Sequence, residues 1–322
     1  MIWNRKWSVT RSVWQPIVLA FLSAALTACD KGADEPPPMI PLEERTPKVL
    51  LIGIDGVRPD VLADVPTPNI DALAMGGSFT ARTRTTTPSV SGPSWSSMLT
   101  GVWPDKHGVT DNEFGGRRYT EFPDFLTRIE SVRPELATFA AVDWLPLMEI
   151  DGGGPTISDA IDIRMPLDGY VTGWPEGDAQ ITSAAVSHLR EADPDALFVY
   201  LGNPDETSHQ QGSIGVEYRE AIAVSDRQIG RLVEAVGARP TFHEENWLIL
   251  ISTDHGRTED GGHGGDSPVE MTTFILVSGP AAAIGTPSQD TFIVDVAVTA
   301  LAHLGIDIDP SWALDGKPVG LR

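Results

Sequence analysis

Apolar residues in this chain come in short unbroken runs rather than in alternation. KVLLIGID (48–55) is apolar almost from end to end and stops at Asp55 and Gly56. A strand with one wet face alternates, so an unbroken run needs cover on both faces, as in a parallel sheet packed between helices. ATFAAV (137–142), ALFVYLG (196–202), NWLILIST (246–253) and TFILVSG (273–279) read the same way. Between them apolar residues recur at helical spacing, near 67–76, 92–100, 177–191, 216–236 and 293–304. Strands alternating with helices predict an α/β fold, a three-layer sandwich around a central, mostly parallel sheet. No internal repeat interrupts the pattern.

The first 47 residues depart from it. Arg5, Lys6 and Arg11 form a basic start without an acid, and IVLAFLSAALTA (17–28) is an apolar run too short for an ordinary spanning helix. The run closes in Leu26-Thr27-Ala28-Cys29, which resembles a bacterial lipobox. The resemblance implies cleavage before Cys29 and lipid on its sulfur. That would hold the chain on a membrane of the cell envelope, on the extracytoplasmic, periplasmic side. The alternative is an ordinary secretory leader with a chance cysteine. Asp30, next in line, resembles an inner-membrane retention signal. Residues 30–47 are charged and Pro-rich and read as an extended tether. The expected organisation is therefore a leader over 1–28, an anchor and tether over 29–47, and one folded domain over 48–322.

Charge narrows the functional classes. The chain has 45 acidic and 23 basic residues, a net −22, and taking away Arg5, Lys6 and Arg11 with the leader would leave −25. A surface that neutralises phosphate backbones must be basic, so nucleic-acid binding is not expected. Cys29 is the only cysteine, so an internal disulfide is not expected either.

Ligands of open α/β sheets bind beyond the carboxyl ends of the strands, and those ends carry the chemistry here. The first run ends at Asp55 in GIDG. The run at 196–202 leads into NPDETSH, with Asp205 and His209. The run at 246–253 leads into TDHG, with Asp254 and His255, and His263 comes next in GGHGG. Asp and His together suit zinc or a similar divalent ion. An Asp at a strand end is often only a helix cap, and a lone His is more often structural; the weight lies in the conjunction. Of the other histidines, His243 and His303 read as structural or exposed and His188 lies on a helical pattern; His107 is left over.

The pieces LIGIDGVRPDVL, TPNIDALAMGG, TPSVSGPSWSSMLTG, LTGVWPDKHGVTDN, NPDETSH, STDHG and GGHGG, in this order, resemble the alkaline phosphatase superfamily, and most closely its type I phosphodiesterase/nucleotide pyrophosphatase branch. DVAVTALAHLGI and LDGKPVG resemble the superfamily's end, so the likeness covers nearly all of 48–322. It implies a metal-dependent phosphoric ester hydrolase with two divalent ions, usually zinc. One ion would be held by Asp205, His209 and His263, the other by Asp55, Asp254, His255 and the nucleophile's oxygen. The nucleophile's place falls at Ser91, and that of a phosphate-contacting Asn at Asn112; Ser89 and Ser94 do not fit that register. Ser91 would stand at a helix N-terminus, which favours an anion. Gly92 would let its own N–H approach a phosphoryl oxygen, and Asn112 would donate to another. A phospho-Ser intermediate would form.

Three alternatives stand beside this reading. Ser91-Gly92-Pro93-Ser94 with Leu99-Thr100-Gly101 resembles a sulfatase signature, but Trp95 stands where its Arg belongs. A phosphomonoesterase would share the metal set, and a metal-binding lipoprotein without catalysis would be expected to lack some of these groups. A small phosphate ester is the expected partner. Phe114, Tyr119, Trp144, Leu145 and Trp174 are candidates to line a pocket for its organic group. A dianionic monoester calls for extra Lys or Arg, and residues 135–163 contain neither, although Arg117, Arg118 and Arg164 lie nearby. That favours a diester.

Overall fold

The computed structural model describes residues 40–149 and 155–322. The leader, Cys29, Asp30 and the tether up to residue 39 lie outside the described residues. The strands are β1 (Thr46–Ile54), β2 (Ser78–Arg84), β3 (Thr138–Val142), β4 (Ile163–Pro166), β5 (Ala196–Leu201), β6 (Glu245–Ser252) and β7 (Thr272–Ser278). They form one sheet in the order β2-β7-β6-β1-β5-β3-β4. β1 is central and parallel to both neighbours, with Leu51 opposite Phe198 of β5 and Leu250 of β6. β3 and β4 continue the parallel run. β7 is reversed and pairs antiparallel with β6 and β2. The sheet is thus mostly parallel, as the apolar runs predict.

Each central run is unbroken because its side chains feed two cores. Val49, Leu51, Phe198, Tyr200, Leu248 and Leu250 face a layer built by helices Ser91–Thr100, Phe125–Val132 and Asp295–His303. Leu50, Ile52, Leu197, Val199, Ile249 and Ile251 face the other, built by helices Pro68–Met75, Trp174–Glu191 and Val216–Gly237. Burying one such side chain contributes about 1.5–3 kcal/mol. Gly53 has a different reason to be where it is: a Cβ there would lie 2.3 Å from the Trp95 ring. Dropping this side chain lets Trp95 lie against the middle of the sheet.

The edge strands are the ones that the pattern does not announce. β2 reads SFTARTR, with buried and open positions mixed, and β4 reads IRMP, with no position buried. An edge strand packs on fewer neighbours, so its sequence need not be continuously apolar. β1 also starts inside the expected tether, because Thr46 and Pro47 pair with Glu245 and Asn246 of β6. Helix Trp174–Glu191 starts ahead of its apolar pattern, with Pro175 in its first turn. Among the described residues, no helix is long and apolar enough to cross a membrane.

Candidate functional site

β1, β5 and β6 are parallel, so the residues just past each of them arrive at one edge of the sheet. Asp55 comes directly after β1. Helix Asn203–Gln211 comes after β5 and carries Asp205 and His209 one turn apart on one face. Asp254 and His255 lie just past β6, and His263 lies in the loop beyond. Ser91 opens helix Ser91–Thr100, at the same edge. The structure brings these side chains together in two groups, Asp55 with Asp254 and His255, and Asp205 with His209 and His263. Within each group the ligand atoms lie within 4.8 Å of one another.

The first, inner group is buried. Asp55 Oδ2 accepts hydrogen bonds from Trp95 Nε1 at 2.8 Å and from the Tyr200 hydroxyl at 2.6 Å. Asp254 Oδ1 accepts from the Gly56 N–H at 3.1 Å. The remaining oxygens, Asp55 Oδ1 and Asp254 Oδ2, are buried without a hydrogen-bond partner. They face His255 Nε2 at 3.5 and 3.3 Å. His255 Nδ1 lies 3.0 Å from the Gly256 carbonyl, which can only accept, so the ring proton belongs on Nδ1 and Nε2 is left as a lone pair. Lone pairs that converge in a dry pocket repel one another unless a cation stands among them. The acid groups register this. Burial and the repulsion of Asp254 and Asp205 raise the Asp55 carboxyl far above its usual range, and burial with Asp205 pushes Asp254 up to about 8. Burial also takes His255 well below its usual value, with His263 adding to the effect. The donor set therefore fits a divalent ion.

The second, outer group is more open. His209 Nε2 lies 3.2 Å from Asp205 Oδ2 and 3.2 Å from His263 Nε2. His263 Nδ1 lies 3.1 Å from the Ser89 carbonyl, which likewise leaves its Nε2 bare. The rings of His255 and His263 stack at 4.0 Å and join the two groups. A further residue enters here that the sequence pattern does not single out. Arg257 is fully buried, and its guanidinium donates to Asp205 Oδ1 and approaches His209 Nε2 at 3.0 Å. Burial alone would raise Asp205; the Arg257 charge, with the three histidines, takes it well below the usual carboxylate range.

The three candidate serines separate cleanly. Ser91 Oγ lies 3.4 Å from His255 Nε2. Ser89 Oγ donates to the Gly265 carbonyl at 2.8 Å, and Ser94 Oγ pairs with Thr85 Oγ1 at 3.3 Å. Gly92 differs from its expected part. Its N–H already donates to Asn112 Oδ1 at 2.7 Å, and a Cβ on it would lie 2.5 Å from the Asp111 carbonyl. The glycine is needed for loop 111–112 to close on the helix, and its N–H is engaged by Asn112 rather than left for a ligand. With Pro93 lacking an N–H altogether, this helix start offers fewer free donors than expected. Asn112 keeps its amino group as the end able to donate.

A cavity opens over Ser91, Asn112, Asp205 and His263, and Trp144, Tyr170 and Trp174 stand in its wall. Phe114 and Tyr119 do not line it. Phe114 is fully buried against Trp144, and the Tyr119 hydroxyl bonds Ser96 and Thr156. Leu145 does not line it either. Among the described residues no Lys or Arg lines the cavity. Arg117 and Arg164 turn to the carbonyls of Phe114 and Met148, and Arg118 to that of Asp105. Of the remaining histidines, His243 is exposed beside Glu244 and the other three pack or bond within the fold. Buried His107 bonds Ser97 Oγ at 2.9 Å, His303 bonds the Asn246 carbonyl, and His188 stacks on Phe139.

Trp95, Tyr200 and Arg257 stand outside the site that the sequence leads one to expect. In the sequence Trp95 is conspicuous only as a mismatch to a sulfatase Arg. Its position one helical turn after Ser91, above the side-chain-free Gly53, is the signal that could place it facing Asp55. Tyr200 is polar in an otherwise apolar run, close to the strand's carboxyl end.

Comparison with known proteins bears on the family and the fold. The family model for type I phosphodiesterase / nucleotide pyrophosphatase matches residues 49–289. Human ectonucleotide pyrophosphatase/phosphodiesterase family member 7 is 27% identical over 243 residues, covering 68% of this chain and 50% of its own. The chain thus spans about half the length of that relative. Among solved structures, murine ectonucleotide pyrophosphatase/phosphodiesterase 5 superposes with a TM-score of 0.64 at 16% identity, covering 82% of this chain and 96% of that one. An inactive form of it was solved with AMP. A phosphonate monoester hydrolase from Silicibacter pomeroyi gives 0.64 at 16% identity, covering 84% and 75%. These structural matches bear on the fold, an alkaline-phosphatase-like α/β sandwich. The family match extends over most of the chain and takes in every side chain of both ligand groups, Ser91 and Asn112: the chain belongs to the type I phosphodiesterase/nucleotide pyrophosphatase family.

Proposed function

We propose that this chain hydrolyses phosphoric esters, diesters in preference to monoesters, with Ser91 as the nucleophile. The observation that carries the proposal is the placement of Ser91 Oγ, 3.4 Å from the bare Nε2 of His255. That nitrogen also faces the two partnerless oxygens of Asp55 and Asp254. Asp55, Asp254 and His255 would hold one divalent ion, and Asp205, His209 and His263 a second; zinc suits both donor sets. Such ions supply charge that favours the serine alkoxide and offsets the charge on the phosphoryl group.

The chain's own residues do the rest. Trp95 and Tyr200 fix Asp55 so that its other oxygen points at His255. Gly92 fixes Asn112 by its side-chain oxygen, which leaves the amino group to hold a phosphoryl oxygen. Ser91 Oγ attacks phosphorus and one P–O bond breaks, so that the alcohol or phosphate leaves and takes up the serine proton; the phosphoryl-Ser formed keeps the other organic group and is opened by water, which releases a monoester and restores the hydroxyl. Trp144, Tyr170 and Trp174 offer ring faces to the organic group of the ester, and a nucleotide is a fitting occupant. A monoester dianion lacks the extra cationic side chains that would hold its additional charge, since no Lys or Arg lines the cavity among the described residues.

The test is a comparison of bis-(p-nitrophenyl) phosphate, p-nitrophenyl phosphate and p-nitrophenyl sulfate with zinc present. The diester should have the higher kcat/KM by at least about tenfold, some 1.4 kcal/mol of transition-state binding. The sulfate should turn over little, and Ser91→Ala should abolish diester turnover. A clear monoester preference would overturn the diester reading, and undiminished activity in Ser91→Ala would overturn the nucleophile.

A further inference from the structure

Arg257 plays no part in the ester hydrolysis proposed for Ser91, yet it is built into the outer group. Its Nε and Nη2 both donate to the Gly261 carbonyl, at 3.0 and 2.6 Å. Its Nη1 donates to Asp205 Oδ1 and to the Asp205 carbonyl at 3.3 Å, and Nη2 also reaches His209 Nε2 at 3.0 Å. The packing around it is close. A Cβ on Gly56 would lie 2.7 Å from Nη1 and 2.5 Å from Asp205 Oδ1, and Gly56 has a φ of +63°, so this position calls for glycine on both counts. Gly261, which supplies the anchoring carbonyl, has a φ of +90° and would place a Cβ 2.0 Å from the Ser208 carbonyl.

We propose that Arg257 is a resident counter-cation of the outer group, which competes with a divalent ion for Asp205 and His209 and makes the two groups unequal in affinity. The inference rests on the reading of both groups as ion ligands. Three physical points lead to it. An imidazole nitrogen has a single lone pair, so His209 Nε2 cannot accept from Arg257 and ligate an ion in full at the same time. A guanidinium does not give up its proton in a protein, so the competing charge cannot be titrated away. The two bonds to Gly261 and the enclosing backbone keep the guanidinium in place, so an incoming ion must share Asp205 with it rather than displace it at no cost. The inner group has no such competitor: among the described residues its two buried oxygens accept no hydrogen bond, and both face the lone-pair nitrogen of His255. The inner group should therefore fill first, and the outer group at higher free metal, with Asp205 Oδ2, His263 and a weakened His209 as its donors.

Equilibrium dialysis of the purified protein against buffered free zinc, with elemental analysis, reads both affinities without reference to turnover. Wild type should take one ion, then a second at least about tenfold more weakly, and Arg257→Met should tighten the second by about 10- to 100-fold while leaving the first unchanged, the span by which groups behind metal ligands shift affinity. Two ions of equal affinity in wild type would overturn the inference while leaving both ligand groups standing. So would an unchanged or weaker second ion in folded Arg257→Met. No ion at all in folded wild type would overturn the ligand groups as well. If Arg257→Met fails to fold, nitrogen-15 arginine labelling of wild type decides, with Arg257→Lys to assign the signal. The Arg257 Nε–H resonance should stay in place through the first equivalent of zinc and move with the second; movement with the first would overturn the inference.

Discussion

The two ends of the parallel strands bury charges in opposite ways. At the amino ends, buried Lys48 donates to Asp193 and Asp195 at 2.9 and 2.8 Å and to the Pro194 carbonyl. Arg239 grips both oxygens of Glu245, which also accepts from Trp247 and Thr241. Cation, anion and hydrogen bonds there close on one another. At the carboxyl ends, Asp55, Asp254 and His255 are buried just as deeply, with two carboxylate oxygens left over. The same residue types make a closed network at one end and a cluster of converging lone pairs at the other. The difference teaches where stability and function reside. A completed network can be lost only at the expense of the fold, whereas an incomplete one is held in place by the rest of the fold, which on the proposed reading serves binding.

The sharpest way to break this contrast is Asp254→Asn. It should lower diester turnover by about 10³-fold, roughly 4 kcal/mol of transition-state stabilisation, yet leave the melting temperature of the metal-free protein unchanged or raised, because the amide is neutral where burial already opposes a charge on Asp254. A melting temperature that falls along with activity would mean that the carboxyl ends are locked as the amino ends are. The converse is Arg239→Met, which leaves buried Glu245 with its Trp247 and Thr241 donors but without its counter-charge. Urea unfolding should show a loss of about 3–5 kcal/mol, with kcat/KM of the folded fraction unchanged. The smallest effect belongs to Trp95→Phe, which removes one of the two donors to Asp55. It should cost about tenfold in activity, the lower end for a group that orients a ligand, with a modest shift in melting temperature. Unaltered zinc affinity and activity in Trp95→Phe would show that the Tyr200 hydroxyl suffices to fix Asp55.

The sequence displays the centre of this molecule far better than its margins. β1, β5 and β6 are written as unbroken apolar runs because both cores demand it. β2 and β4 carry no such demand, and their Thr and Arg residues resemble loop sequence. Asp55, Asp205, His209, Asp254, His255 and His263 are legible because each stands just past a recognisable run or among glycines. Trp95, Tyr200 and Arg257 are not. Their roles depend on which side chain a tertiary neighbour leaves unsatisfied, and no spacing rule encodes that. Gly92 makes the same point from the other side. Its small size is legible, but the reason for it is the Asp111 carbonyl, some twenty residues away along the chain and in contact in space.

The reversal of β7 has a consequence for how such a protein can change. Because β6 and β7 are antiparallel neighbours, the chain leaves the sheet at Ser252 and re-enters it at Thr272 on the same edge. Everything between is one excursion fastened at both feet, with the Gly256 N–H bonded to the Glu270 carbonyl and the Thr85 N–H, just past β2, bonded to that of Met271. That excursion carries Asp254, His255, Arg257, Gly261 and His263. On the proposed reading of the two groups, this one excursion supplies Asp254, His255 and His263 as ligands together with the arginine beside them. Metal preference would then be open to change through one loop, with the pairing of β6 and β7 kept.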